Sequence, residues 1–252
     1  MSVTINRNGN GIAEIEIRRF EKRNALDGAH INGIADAALE LSAADGLRAV
    51  VLRSAGDKVF SAGADIGELS AQTAETAHGF IDSLRRAIQA VYDIPVPVIC
   101  RLQGACIGGA MEMAAACDLR IASDNASFCM PEVRVGIPSV IQAVLLPRLM
   151  GKGRAGWLLL SGEVIDAQTA YDWGFIEKLV PADKLDAAVD DACETILHCA
   201  PGAVRTQKRL NQSWDNLSTD QAIAESMDAF AASYQSTEPA EYMAKVLKPK
   251  KA

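Results

Sequence analysis

Apolar and polar residues alternate along the first fifth of the chain in the patterns of a strand, a helix and a second strand. Ile12–Ile17 alternates with the two-residue period of a half-buried strand. Apolar residues then recur at helical spacing after Asp27, which is a suitable N-cap for a helix reaching about Ala43. Ala49–Leu52 is a short, continuous apolar run of the kind that a strand buried on both faces shows.

Strand and helix patterns continue to alternate through the middle of the chain. Prolines and glycines separate the apolar runs, as they do where one element ends and the next begins. Alternation of this kind is typical of an α/β fold. The predicted elements are a helix over Phe80–Val91, a strand at Val98–Leu102, a helix at Ala110–Cys117, and short strands at Arg120–Ser123 and Ser127–Cys129.

From about Leu185 onward the strand patterns stop and only helical periodicity remains. The sequence therefore predicts two parts, an α/β core at 1–188 and a helical C-terminal region at 189–252. Within the latter, Ile223, Met227 and Phe230 form an apolar stripe that needs a partner surface. The predicted C-terminal helices are Asp190–His198, Ala203–Trp214 and Thr219–Tyr234.

Charge and composition exclude several classes of protein. The net charge is -7, and the one basic cluster is the C-terminal tail, so nucleic-acid binding is disfavoured. The N-terminus has no signal-peptide core and no apolar run approaches about 18 residues, so we expect a cytoplasmic protein without a membrane span. The six cysteines form no Cys-x-x-Cys and the three histidines no ligand pair, so we expect reduced thiols and no metal site. The lysines of the tail are Lys245, Lys248, Lys250 and Lys251.

Two glutamates stand in apolar surroundings. Glu112 lies in the first turn of the predicted helix at 110–117, which is apolar on nearly every face, and Glu132 follows an apolar run that ends at Pro131. Each has a structural interpretation, as a charge at a helix start or as a partner for Arg134. Two such carboxylates together are more typical of an acid–base pair with raised pKa values.

Two turns of small residues offer backbone N–H groups. Gly108–Gly109 joins a strand to a helix, where unpaired N–H groups bind anions or stabilise an oxyanion, and Ala62–Asp65 is a second candidate. Simple chain reversal explains either turn equally well. The fingerprints of dinucleotide-binding and phosphate-binding loops and of the serine hydrolase elbow do not occur.

The order of these pieces resembles the crotonase family, the enoyl-CoA hydratases and isomerases, over nearly the whole chain. No single segment is specific, but their order and spacing are. The segments that carry the resemblance are Glu21–Leu26, Phe60–Ile66, Gln103–Glu112 with Cys117–Ala122, Pro131–Pro138, Leu146–Arg148, and Ser161–Gly162 with Ala167, Ala170, Trp173–Gly174 and Val180–Pro181.

The resemblance implies a crotonase-like spiral of β-β-α units with a C-terminal helical trimerisation region, hence a homotrimer or a hexamer. It implies an acyl-CoA thioester as substrate, with coenzyme A as part of that substrate and no separate cofactor. By position, Ala64 and Gly109 resemble the oxyanion-hole residues, and Glu112 and Glu132 the two catalytic glutamates. The residues that resemble the family's substrate and coenzyme A contacts are Lys22, Arg23, Ala25, Ala62, Gly63, Asp65, Ile66 and Gly108.

The implied reaction is hydration of an enoyl-CoA through an enolate, with Glu112 activating water and Glu132 delivering the α-proton. An isomerase or another crotonase-type reaction is the first alternative, and a non-catalytic acyl-CoA-binding protein is the second. The sequence departs from the family at Met130, where hydratases have glutamine, and at 138–143, which replaces a glycine-rich segment. We expect Val140, Ile141 and Gln142 to narrow the acyl pocket.

Overall fold

The computed structural model describes residues 2–247, within which the chain forms ten strands and eleven α-helices. The strands are β1 (Val3–Arg7), β2 (Ile12–Ile17), β3 (Ala49–Ser54), β4 (Val59–Ser61), β5 (Val98–Leu102), β6 (Ala105–Ile107), β7 (Leu119–Ser123), β8 (Ser127–Cys129), β9 (Val164–Asp166) and β10 (Lys178–Val180). The helices are α1 (Gly28–Ser42), α2 (Ile66–Ser70), α3 (Ala77–Tyr92), α4 (Gly109–Ala116), α5 (Leu146–Met150), α6 (Lys152–Ser161), α7 (Ala167–Asp172), α8 (Leu185–Leu197), α9 (Pro201–Trp214), α10 (Thr219–Ser233) and α11 (Glu238–Leu247). Short 3-10 helices cover Phe20–Lys22, Glu132–Val135, Ile141–Leu145 and Ala182–Lys184.

The strands form two sheets, and from β3 to β8 consecutive strands belong to alternate sheets. The six-stranded sheet has the order β1-β2-β3-β5-β7-β10, and the four-stranded sheet has the order β4-β6-β8-β9. The pairs β3–β4, β5–β6 and β7–β8 each give one strand to each sheet, and a helical segment follows each pair. All these neighbours within the sheets are parallel. The chain therefore rises as a spiral of β-β-α units, as the resemblance implies.

Strand β3 shows why the central strands read as continuous apolar runs. Val50 and Leu52 face the main core, where α1 and α3 pack, whereas Ala49 and Val51 face a second apolar cluster. Helix α8 supplies the other side of that cluster, with Leu185, Ala188, Val189 and Cys193. A strand covered on both faces needs no polar side.

The C-terminal helices extend from this layer. The boundary expected between 188 and 189 falls within α8, which packs on the six-stranded sheet; the division into domains stays a prediction. Lys208 of α9 is buried and donates to Asp118 Oδ2 at 2.6 Å and to Val96 O at 3.0 Å, which ties α9 to the core. Of the predicted basic tail, Lys245 lies in α11, and Lys248, Lys250 and Lys251 lie outside the described residues.

Most predicted elements are present at or near their expected bounds. Asp27 caps α1 by accepting a hydrogen bond from the His30 N–H at 3.0 Å. The sequence patterns did not indicate β1, β4, β6, β9, β10, the helix α2, the helices α5 to α7, or α11. Five cysteines are buried and Cys199 is exposed. None of the helices within residues 2–247 has the length and apolar character needed to span a membrane.

Candidate active site

The two turns of small residues pack against each other. Gly63 has φ +80°, and a Cβ at this position would lie 2.5 Å from Ile107 O and 3.4 Å from Gly109 N. Only glycine permits this approach, because any side chain would meet the backbone of the other turn. The turn after β4 and the start of α4 therefore form one unit, with Ala64 beside Gly109.

The N–H groups of Ala64 and Gly109 have no hydrogen-bond acceptor among residues 2–247. Gly109 begins α4, where N–H groups have no partner within the helix. The neighbours of Ala64 are paired, since Gly63 O accepts from Leu26 N–H at 2.8 Å and Asp65 N–H donates to Leu26 O at 2.9 Å. The backbone is thus fixed on both sides of the unpaired N–H at Ala64.

Asp65 secures the turn. Its carboxylate accepts from the N–H groups of Gly67 and Glu68 and so caps α2, and it pairs with Arg19 at 2.6 Å. The hydrogen bond from Arg19, with the backbone bonds at the helix start, lowers the pKa of Asp65. The contacts that Asp65 makes therefore stabilise the turn and the start of α2. A contact between Asp65 and coenzyme A stays a prediction.

Glu112 lies in the first turn of α4 and is 3% exposed. Burial raises the pKa of Glu112 to about 8; the charge of Glu132 acts in the same direction, and backbone N–H groups at Val140 and Ala143 act against it. Near neutral pH this carboxyl group therefore keeps its proton. For Glu112, the expected rise of the pKa is confirmed.

Glu132 begins a 3-10 helix directly after Pro131 and is half-buried. Its Oε2 accepts a hydrogen bond from Ser139 Oγ at 2.7 Å, and its Oε1 lies 2.4 Å from where a Cβ on Gly108 would stand. The structural interpretation with Arg134 is wrong, because Arg134 Nε donates to Ser161 O at 2.9 Å instead.

Both glutamates line one cavity of about 590 Å³. The two turns form one wall, and side chains of α3 and of the segment after Glu132 form the others. Leu84 of α3 packs so close to Gly109 that a Cβ there would lie 2.9 Å from Leu84 Cδ2. Of the residues expected in the site, those that line the cavity are Ala62, Gly63, Ala64, Ile66, Gly108, Gly109, Glu112 and Glu132.

Four expected residues do not line the cavity: Asp65, described above, and Lys22, Arg23 and Ala25. Lys22 and Arg23 are exposed, and Ala25 is buried. Arg23 O accepts a hydrogen bond from the Ala62 N–H at 3.0 Å, so this stretch is attached to the wall of the cavity. Arg23 has φ 55°, which turns the chain at this point.

The segment that departs from the family pattern lines the cavity only in part. Val140 contributes to the wall, as expected, together with Ile137 and Pro138. Ile141 and Gln142 do not: Ile141 packs against the main core and Gln142 is 8% exposed. The expectation for these two side chains is wrong because a 3-10 helix begins at Ile141 and turns them inward.

Sequence reasoning also missed residues that act on the site. Ser139 contacts Glu132, and Val135 and Ile137 line the cavity. A polar residue among the apolar positions 137–141 is a signal for Ser139. No pattern in the sequence points to Val135. Ile137 lies in the segment after Gly136 that we expect at the acyl pocket, but the direction of its side chain in an irregular segment depends on the fold.

Comparison with known proteins gives one family. The family model described as enoyl-CoA hydratase/isomerase matches residues 7–245. A crotonyl-CoA hydratase of Syntrophomonas wolfei is 32% identical over 242 residues, covering 96% of this chain and 93% of that protein. A short-chain-enoyl-CoA hydratase of Clostridium acetobutylicum is 30% identical over 241 residues, covering 95% and 92%.

Solved structures agree with the sequence relatives. The crystal structure of an enoyl-CoA hydratase from Bacillus anthracis matches with a TM-score of 0.93 at 27% identity, covering 96% of this chain and 95% of that chain. The spiral, the paired turns and the C-terminal helices are thus parts of one shared fold. The chain belongs to the enoyl-CoA hydratase/isomerase family, the crotonase family.

Proposed function

We propose that this protein adds water across the α,β double bond of an enoyl-CoA thioester. One observation carries the proposal: two carboxyl groups line the same cavity as a pair of turns whose N–H groups have no acceptor among the described residues. The relatives named crotonyl-CoA hydratase and short-chain-enoyl-CoA hydratase support the same reaction.

The unpaired N–H groups supply the electrophilic half of the chemistry. Water adds poorly to a carbon–carbon double bond unless the negative charge that develops has a place to go. A thioester carbonyl accepts that charge as an enolate, and the N–H groups of Ala64 and Gly109 stabilise it. Loss of one such donor typically raises the barrier by about 3–4 kcal/mol.

The two carboxyl groups divide the proton transfers. In hydration, ionised Glu112 takes a proton from water as it attacks Cβ, and protonated Glu132 gives a proton to Cα. The raised pKa of Glu112 means that it holds a proton near neutral pH, which is the arrangement left after hydration. A new cycle then requires the proton to move from Glu112 to Glu132, and the same arrangement is ready for the reverse dehydration.

Hydration uses both carboxyl groups, whereas isomerisation does not need both. Moving a double bond requires one base that carries a proton between two carbons of the same substrate. A second carboxyl group buried beside it, as Glu112 is, costs folding free energy and serves no step of that reaction. The presence of both carboxyl groups therefore favours a hydratase over an isomerase or a non-catalytic binding protein.

Coenzyme A is expected to bind as part of the thioester substrate. Lys22 and Arg23 are exposed cations on a stretch attached to the cavity wall through Ala62, and they suit the phosphates of that group. Val140, within the segment that replaces the family's glycine-rich stretch, brings a side chain to the cavity, and Ile137 and Pro138 line the cavity before it. Short acyl groups are therefore expected to fit best.

A panel of enoyl-CoA thioesters from four to twelve or so carbons tests the proposal. We expect loss of the conjugated-ene absorbance, a product heavier by one water, and a higher kcat/KM for crotonyl-CoA than for the long chains. Each methylene is worth roughly 1–3 kcal/mol of discrimination in such a pocket. A product of unchanged mass with a shifted double bond supports the isomerase instead, and equal efficiency on long chains removes the claim about the pocket.

A further inference from the structure

The loop that begins at Glu132 returns to the same glutamate. Gly136 has φ 85° and reverses the chain, and the Ile137 N–H then donates to Glu132 O at 3.1 Å. Two residues later, Ser139 Oγ donates to Glu132 Oε2 at 2.7 Å. Both the backbone and the side chain of Glu132 are therefore held by its own loop.

The two carboxylate oxygens of Glu132 have different surroundings. Oε2 accepts the Ser139 hydroxyl, which is the one side-chain hydrogen bond that Glu132 makes within residues 2–247. Oε1 lies against Gly108, directly before Gly109 and its unpaired N–H. The Gly108 N–H is occupied by Cys129 O at 2.8 Å, so it does not engage Oε1. Oε1 is the oxygen left for a substrate carbon beside the oxyanion turn.

We propose that Ser139 is a positioning residue, whose hydroxyl fixes Oε2 of Glu132 so that Oε1 points at the α-carbon of the bound thioester. The proposal rests on the proposed function, in which Glu132 transfers the proton to the α-carbon. Ser139 does not line the cavity, and its hydroxyl donates to Oε2 of Glu132. It acts through Glu132, by keeping one orientation of a side chain that otherwise has three rotatable bonds.

The neighbours of Ser139 extend this arrangement to the second carboxyl group. The backbone N–H groups at Val140 and Ala143 act on Glu112 and oppose the rise of its pKa. Ile141, between them, has φ 40°, a strained conformation for a β-branched residue. The segment that replaces the family's glycine-rich stretch therefore holds Glu132 through a hydroxyl, while its backbone at Val140 and Ala143 acts against the raised pKa of Glu112.

The test compares Ser139→Ala, which removes the hydroxyl, with Ser139→Thr, which keeps it. Loss of a hydrogen bond to a charged group typically lowers the rate constant roughly 10-fold to 100-fold when the bond stabilises only the transition state. We expect kcat of the alanine variant to fall by about that factor, while KM and the dissociation constant for butyryl-CoA stay within about twofold. Ser139→Thr is expected to recover most of kcat.

Controls separate positioning from folding. Ser42→Ala removes a hydroxyl from a half-buried serine that bonds only within α1, to Ala38 O, and kcat is expected to be unchanged. If Ser139→Ala does not fold, Ser139→Cys keeps the volume with a much weaker donor, and the same loss of kcat is expected. Wild-type kcat in a folded alanine or cysteine variant overturns the proposal. So does an equal loss in the threonine variant, or a loss that appears only in KM.

A second readout distinguishes failure of this inference from failure of the proposed function. Exchange of the α-protons of butyryl-CoA in heavy water needs Glu132 and the oxyanion turn but no hydration. We expect Ser139→Ala to slow this exchange as it slows turnover. If the wild-type protein exchanges but hydrates no enoyl-CoA, the hydratase proposal fails and Ser139 is judged on exchange alone. If it hydrates normally and Ser139→Ala does too, only this inference fails.

Discussion

At the scale of single residues, the site depends on a carboxyl group that is costly to bury. Glu112 is 3% exposed and lies in an apolar helix, with Glu132 as a second acidic group nearby. Removing an ionised carboxylate from water without a cationic partner is unfavourable, so the group responds by holding its proton. Because the pKa of about 8 differs from that of an unfolded glutamate, the free energy of unfolding depends on pH through this group.

The pH dependence of stability follows from this shift. The ordinary pKa of 4.5 applies to the unfolded chain and about 8 to the folded one, so folding takes up a proton between these values. This contribution to stability is fully present below pH 4.5 and is lost as the pH rises to about 8, on the order of 3–5 kcal/mol in all. Glu112→Gln, which is neutral throughout, is expected to equal the wild type near pH 5 and to melt at a higher temperature at pH 8.

Thermal unfolding of both proteins at one protein concentration measures the difference. Using the difference between the two cancels the titration of the groups that do not interact with Glu112. A Glu112→Gln variant that is less stable than the wild type at pH 8 would mean that the ionised carboxylate is well satisfied, and the raised pKa would then be wrong.

At the scale of elements, the spiral places the proposed catalytic groups where strands of the four-stranded sheet end. The turn after β4 provides Ala64, the turn after β6 provides Gly109, and the segment after β8 provides Glu132. Because β4, β6 and β8 are parallel neighbours, their ends meet at one edge. Three segments that are far apart in sequence thereby form one cavity.

The turn between β6 and α4 gives a prediction at this scale. Gly108 has φ 55° and ψ -126°, and a Cβ there would lie 2.4 Å from Glu132 Oε1. Gly108→Ala is expected to push the flexible end of Glu132 aside and to lower kcat by about 100-fold, in the range of a lost acid–base group. The measurement is steady-state hydration together with thermal unfolding.

Gly151→Ala is the matched control. Gly151 has φ 84° and ψ 151°, also a backbone conformation that favours glycine, but a Cβ there would meet no atom within 4 Å. Both variants are expected to lose stability, by roughly 1–3 kcal/mol. Equal activity losses in the two would show that strain, and not the displacement of Glu132, is responsible.

The elements also show which structure is predictable from local sequence. The strands β2, β3 and β5 and the helix α1 were predicted closely. β2 and α1 show a clear period, β3 and β5 are largely apolar runs, and a proline, a glycine or a cap marks an end of each. Strands β9 and β10 have three residues each, too few to show a period. The positions of Glu112 and Glu132 were predictable, whereas Ser139 and the inward turn of Ile141 depend on how the loop closes.

At the scale of the whole molecule, the C-terminal helices carry an apolar surface that the rest of residues 2–247 leaves exposed. Along α10 and its C-cap, Ile223, Met227, Phe230 and Tyr234 are all more than half exposed, and they fall on one stripe of the helix. Ala229, on another face, is buried against the chain itself. An exposed stripe of this size is typical of an interface between subunits.

Assembly is therefore predicted to be a trimer or a hexamer through this stripe. Light scattering is expected to give a mass of three or six times the chain mass of 26.8 kDa. Phe230→Glu is expected to lower that mass, because a charge buried in an interface lacks a partner. Asp228→Lys, a charge change on a different face of the same helix, is expected to leave it unchanged. A wild-type protein that is a stable monomer would refute the prediction.

The central claim is that Glu112 and Glu132 together add water to an enoyl-CoA, and one measurement tests it most directly. The turnover of crotonyl-CoA is compared among the wild type, Glu112→Gln and Glu132→Gln, with folding and butyryl-CoA binding measured alongside. Each substitution is expected to lower kcat by roughly 10²–10⁴-fold while the fold and binding remain. Near-normal hydration by either folded variant would contradict the claim.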